Sequence, residues 1–134
     1  MPIKYVEALD VKKRVDEIAE NLNLFHIPPQ FVFCVRSKGS KSKRTIARIH
    51  GLGKIWQETL NLPPSYIIEV ISERYDKLSE EEKEKTLIHE LLHIPHGFSG
   101  GFRPHKGYVS REKVEQLYRK LKQNRARKII GGDF

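Results

Sequence analysis

Cysteine is almost missing from this chain: Cys34 stands alone among 134 residues. A single thiol excludes a disulfide framework and every cysteine-based zinc ribbon or knuckle. Flanked by Phe33 and Val35, Cys34 reads as a core or half-buried thiol rather than a nucleophile. Long apolar runs are missing too, and nothing approaches the roughly 20 residues a membrane span needs. The first 18 residues, MPIKYVEALDVKKRVDEI, carry charge throughout and lack the apolar stretch of a signal peptide, so the expected location is cytoplasmic. Carboxylates are missing from one long segment. Residues 36–54 hold Arg36, Lys38, Lys41, Lys43, Arg44, Arg48 and Lys54 with no Asp or Glu among them. Residues 111–128 are also strongly basic, so the net charge of +8 is unevenly placed. That asymmetry points to nucleic acid or another polyanion as a possible partner. The competing reading is a solvated loop and a solubilising helix face.

What is present suggests an α+β chain of one domain over residues 1–124, with a flexible tail at 125–134. Apolar residues recur at helical spacing over 5–24 (Val6, Val11, Val15, Ile18, Ala19, Leu22), which predicts an amphipathic helix. Pro28 and Pro29 stop it. Residues 30–35 (QFVFCV) read as a buried strand, 37–42 (SKGSKS) as a loop or hairpin tip, and 45–49 (TIARI) as the returning strand. Residues 54–60 are a candidate for one more short strand, and 66–71 (YIIEVI) for another. Ser79 with Glu82 three residues on forms a capping box, and Glu80 and Glu81 suit the positive end of the helix dipole. That helix ends near His93, because Pro95 cannot continue it. Ser110 is the expected N-cap of a last helix whose apolar face holds Val114, Leu117, Tyr118 and Leu121. The expected architecture is a small, mostly antiparallel sheet against three helices.

The chemistry lies in residues 89–93, HELLH. Residues four apart on a helix differ by about 40° around the axis, so His89 and His93 project side by side. Two such imidazoles can share one ion at roughly 2.0–2.1 Å per Zn–N bond. Glu90 lies about 60° from His93, near the ion without having to ligate it. Leu87, Ile88, Leu91 and Leu92 gather on a face about 150° from the midpoint of the two histidines. One turn of helix thus anchors itself with leucines and offers its histidines to a cleft, whereas a core histidine would sit among the leucines.

A catalytic zinc takes three protein ligands and keeps a position open. His105, twelve residues beyond His93 and past the Gly100-Gly101 turn, is the first candidate for the third. His96 is its rival, and Glu112 or Glu115 on the last helix is another option. His26 and His50 read as structural or surface groups, Trp56 as a core or cleft-wall residue, and Tyr108 as a packing residue.

HELLH, preceded by SYIIEVISERYDKLSEEEKEKTLI and followed by IPHGFSGGFRPH, resembles the metallopeptidases of archaea and phages and, through them, the SprT-like zincins. The resemblance runs roughly from 44 to 110. It implies a zincin-type fold, a zinc ion held by His89, His93 and His105, and Glu90 as general base. It departs from the metzincin pattern HExxHxxGxxH, because His96 and Ser99 stand where a glycine and a histidine are required, and Met1 is the sole methionine. Nor can Cys34 alone build the four-cysteine ribbon found in many SprT-like proteins, so any recruitment to DNA would fall to the basic loop or the basic last helix.

The expected reaction is metal-assisted hydrolysis of a peptide bond. Zinc polarises the carbonyl and lowers the pKa of its water towards ~7. Glu90 takes the proton and later hands it to the leaving amine. The substrate would be a peptide or protein paired with an exposed strand edge, 66–71 or 54–60. The alternative is a nucleic-acid-associated protein with a structural zinc, which would need a fourth protein ligand such as His96.

Overall fold

The computed structural model describes residues 2–131. Strand β1 (Lys4–Glu7) turns at Ala8 into helix α1 (Leu9–Asn21), and a 3-10 turn over Pro29–Phe31 leads into β2 (Val32–Lys38). Then come β3 (Ala47–Gly51), α2 (Lys54–Leu60), β4 (Tyr66–Ile71), the single turn α3 (Ser72–Tyr75), α4 (Glu80–Leu92) and α5 (Arg111–Gly131). The four strands form one mixed sheet in the order β1-β2-β4-β3. Its central pair, β2 and β4, is parallel, and the two outer pairs are antiparallel.

Helices α1, α4 and α5 lie on one face of the sheet, giving the two-layer arrangement in which each element buries its apolar side against another. Val11, Val15 and Ile18 of α1 meet Leu87, Ile88 and Leu91 of α4, with Leu121 of α5 and Tyr66, Ile68 and Val70 of β4 closing the core. All of these are 2% exposed or less. Arg125 of α5 ties the layer together. It binds Glu17 of α1 (Nε to Oε2, 2.8 Å) and the buried Glu84 of α4 (Nη1 to Oε1, 3.1 Å).

Three local expectations need correction. Residues 4–7 form a strand and not the start of α1, because Tyr5 and Val6 pair with Ser37 and Arg36 of β2. Buried Ala8, whose N–H donates to the Cys34 carbonyl, marks the switch from strand to helix. The segment 45–49 is no hairpin partner of β2: β3 begins at Ala47 and pairs with β4, which lies between the two. β4 is buried at five of its six positions and so takes a central place, whereas β3 alternates and suits an edge. Residues 54–60 form helix α2 instead of a strand. Ile55 with Thr59 and Trp56 with Leu60 are i,i+4 pairs, and Asn61 in the left-handed region (φ 53°) ends the helix. Helix α5 runs on past Arg125 to Gly131, and residues 132–134 lie outside the described residues. No described helix is long and apolar enough to cross a membrane.

Candidate metal centre

Helix α4 starts where its sequence says it should, with the Glu82 N–H donating to Ser79 Oγ. Its apolar stripe is fully engaged: Leu87, Ile88 and Leu91 are buried under the sheet and α1. Half-buried His89 and His93 therefore face away from the core, and His93 is the C-cap.

The loop that follows returns the chain to the helix end it has just left. Phe98 (φ 46°) and Gly100 (φ 101°) adopt left-handed backbone and reverse its direction. Tyr66, on the central strand, grips the reversal: its hydroxyl donates to the Gly101 carbonyl (2.7 Å) and accepts from the Gly100 N–H (2.9 Å). Phe98 and Phe102 pack edge-on against its ring. Gln57 of α2 adds a second hold, its Nε2 donating to the carbonyls of Leu52 and Ser99. The backbones meet so closely that a Cβ at Gly51 would lie 2.1 Å from the Gly100 oxygen, and one at Gly100 would lie 2.3 Å from the Leu52 oxygen. Both positions therefore require glycine.

Arg103 closes the loop on His93 itself. Its N–H donates to the His93 carbonyl (2.8 Å), and the His93 Nδ1–H donates to the Arg103 carbonyl (2.9 Å). The second bond fixes the tautomer and leaves Nε2 with its lone pair directed outward. Two residues on, exposed His105 comes to lie beside the helical pair, and the Val109 N–H closes the turn on its carbonyl (2.9 Å).

One ring nitrogen each from His89, His93 and His105 fall within 4.8 Å of one another. Nε2 of His105 and Nε2 of His89 are 3.4 Å apart. That is long for a hydrogen bond, whose usual length is about 2.9–3.0 Å. It is the separation of two nitrogens on one ion: bonds of roughly 2.0–2.1 Å at a tetrahedral angle put them about 3.3–3.4 Å apart. Burial first, then the neighbouring His93 and His105, push the His89 pKa down and favour the neutral imidazole that ligates. Three imidazoles with no carboxylate among them suit a borderline ion of the zinc type, and each gives one donor, so the fit is to a three-coordinate protein site with room for more.

Glu90 is 6% exposed, and its Oε2 is buried without a hydrogen-bond partner. Burial alone raises its carboxyl to about 7. The other candidates are engaged elsewhere. His96 packs at a tilt against His26 (centroids 4.3 Å apart), His50 binds Glu69 (2.8 Å), and Glu115 binds Lys85 (2.8 Å). Exposed Glu112 stands outside the histidine group. Cys34 is buried, and burial pushes its thiol up to about 12, so it is inert.

Beside the histidines opens a cleft of about 570 Å³, with His89, Glu90 and Thr86 as floor, Val114 and Arg111 of α5 as one wall, and Ala47, Ile46 and Arg44 at the start of β3 as the other. The strand edge next to the cleft is therefore that of β3. Residues 66–71 form a central strand with no free edge, and 54–60 are helical. Of the basic segment, Arg36 is spent on Asp10 and Asp76, whereas Lys38, Lys41, Lys43, Arg44 and Arg48 are exposed. Tyr66, Gln57, Gly51 and the Arg103 carbonyl, which hold the third histidine in place, carry no sequence signal of that role. Only the paired glycines at 100 and 101 signalled a tight approach, and nothing in the sequence named its partners.

A family model described as "Putative phage metallopeptidase" matches residues 3–126. No curated protein and no solved structure matches the chain. The match spans nearly the whole chain, and the chain belongs to that family.

Proposed function

We propose that this protein is a zinc-dependent peptidase of the zincin type, related to the SprT-like proteins and working in the cytoplasm. His89, His93 and His105 hold the metal, and Glu90 is the general base. The observation that carries this reading is the convergence of three imidazoles on one point next to a buried carboxylate with an unpartnered oxygen. A zinc ion held there supplies Lewis acidity to the substrate carbonyl and to a water. Glu90 accepts the proton of the attacking water at its carboxylate and passes it to the leaving nitrogen, a service typically worth ~10²–10⁴-fold. A carboxyl lifted towards neutrality by burial is suited to both halves of that exchange. The His93–Arg103 bond holds one ligand in register. The free edge of β3 offers backbone groups to an extended peptide lying in the cleft.

The test is elemental analysis of protein purified without a metal-affinity tag, combined with hydrolysis of a peptide library. The parent should carry about one zinc per chain and cleave. Glu90→Gln should keep the metal and lose cleavage by ~10²-fold or more, and His105→Ala should lose metal. A Glu90→Gln enzyme as active as its parent would remove Glu90 from the reaction.

A second reading, a nucleic-acid-associated protein with a structural metal, draws on the exposed lysines and arginines of 38–48. It is the weaker of the two, since a structural zinc site closes with a fourth protein ligand and the histidine group has three members. Binding of a DNA duplex that falls steeply with salt would favour it.

A further inference from the structure

A second cavity opens on the leucine side of α4 and shares no lining residue with the cleft. Ile88 and Leu91 of α4 form its floor and are 1% and 2% exposed. Leu24, past the end of α1, and Leu117 of α5 are further apolar walls. The volume is about 200 Å³. That is below the ~300–1,000 Å³ of sites for drug-sized ligands, so it suits one compact aliphatic group. The polar part of the lining is one-sided: Arg103, Lys113, His26 and His96, with no carboxylate among them. Arg103 and Lys113 are half-buried, and neither is in an ion pair among the described residues. The Arg103 guanidinium lies over the Tyr108 ring, 5.3 Å from its centroid. It is also felt at His26, whose pKa is pushed down by burial first and then by the neighbouring charges of His96 and Arg103. His26 meets the Ile94 carbonyl through Nε2 (3.3 Å). A half-buried cation without a counterion has lost part of its hydration and gains from an arriving anion.

We infer that this cavity is a binding site for a branched aliphatic carboxylate, its hydrocarbon against Leu24, Ile88, Leu91 and Leu117 and its charge read by Arg103 and Lys113. The lining selects that class. Apolar walls exclude sugars and nucleosides, whose hydroxyls would lie unpaired against leucine. The small volume excludes long acyl chains. Cations without counterions favour a negative head over a neutral one, and a guanidinium fork matches a carboxylate. A free aliphatic acid and the C-terminal leucine of a peptide share this chemistry. Arg103 also borders the metal centre, since its backbone clamps His93. The site nevertheless stands apart from the peptidase reading, because none of its lining residues is a proposed ligand or base.

The test follows backbone amide shifts of isotope-labelled protein during titration with isocaproate, N-acetylleucine, the amide of each, and acetate. At least one of the two branched acids should move the amides of Leu24, Ile94 and Leu117. It should bind roughly tenfold tighter than its own amide, the difference between a charge-assisted and a neutral hydrogen bond. Acetate, which has the charge without the hydrocarbon, should bind at least tenfold more weakly than that acid. The stronger of the two acids names the source, a free acid for isocaproate and a peptide C-terminus for N-acetylleucine. Arg103→Gln/Lys113→Gln keeps the backbone clamp on His93 and should bring the acid down to the affinity of its amide. An unchanged spectrum away from the cavity checks the fold of that variant. Lys13→Gln/Lys77→Gln, the same change at two exposed lysines outside the cavity, should leave the preference intact. No shift at those three amides, or equal affinity for acid and amide, would overturn the inference. So would a preference that survives in Arg103→Gln/Lys113→Gln, which would put the carboxylate on another group, such as the metal.

Discussion

In the proposed site His89 and His93 would share one task with His105, and they are supported in opposite ways. The first two ride on one turn of helix, and their spacing follows from 3.6 residues per turn and from nothing else in the molecule. The third is exposed, sits on an irregular loop, and reaches the helix only because Tyr66, Gln57 and the Gly51–Gly100 contact pin that loop to the sheet. A local rule places two-thirds of the site, and a set of long-range contacts places the remainder. The two supports should therefore fail separately.

The largest effect comes from attacking the helical support. Leu91 is 2% exposed at the centre of the α4 stripe. Leu91→Ala should cost about 2–5 kcal/mol, or roughly 8–20 °C in Tm for a chain of this size, read by thermal unfolding of metal-free protein. Metal should be lost only together with the fold, because the two histidines move with their helix. A folded Leu91→Ala protein without metal would contradict this. Next comes the loop. Gly100→Ala places a Cβ against the Leu52 oxygen at a positive φ of 101°. It should weaken zinc binding at least tenfold by isothermal titration, while the metal-free Tm moves by only the ~1–3 kcal/mol that a strained residue costs. Unchanged affinity would mean that the pinned loop is not what positions His105.

The same division explains what could be read from sequence. Strand 66–71, the start of α4 at Ser79, its end at His93, and the opposition of leucines to histidines are all consequences of short-range periodicity and capping, and they were legible. The order of the strands was not, because it depends on which strand needs cover on both sides, and β4 wins that contest over β3 only in the assembled sheet. α2 was misread because β-branched and aromatic residues outweighed the i,i+4 spacing of Ile55–Thr59 and Trp56–Leu60. His105 could be guessed from its glycine turn. Its anchors could not, since Tyr66 lies 35 residues from Gly101 and Gln57 lies 42 from Ser99.

A gentler probe sharpens the contrast. Tyr66→Phe removes the hydroxyl shared by Gly100 and Gly101 and keeps the ring that Phe98 and Phe102 pack against. Loss of one buried hydrogen-bonding group costs about 1–3 kcal/mol. If that cost falls on the loop, zinc affinity should drop several-fold while far-UV dichroism and the unfolding midpoint of the metal-free protein barely change. An equal fall in Tm would instead assign Tyr66 to the core.

The smallest expected effect concerns acid, and it falls on ion pairs that tie helix α1 to β2 and to α5, away from the loop. Hydrogen bonds from Arg36 hold the Asp10 carboxyl down to about 2 from its ordinary 3.8, and those from Arg125 lower Glu17. A carboxylate with a depressed folded pKa stabilises the fold above its unfolded pKa and loses that contribution as pH falls through the folded value. These two carboxylates should therefore make metal-free Tm decline between roughly pH 4 and 2, with Asp10 covering the lower part of that window. Asp10 is well exposed, so the decline should shrink in molar salt. Arg36→Gln should lower Tm at pH 7 and flatten the acid decline, because a carboxylate without its guanidinium titrates alike in both states. Neither ion pair reaches the loop over 94–110, so the variant should bind zinc at neutral pH as tightly as its parent. Weaker zinc binding in Arg36→Gln would show that the loop and the α1–β2 contact belong to one cooperative unit after all.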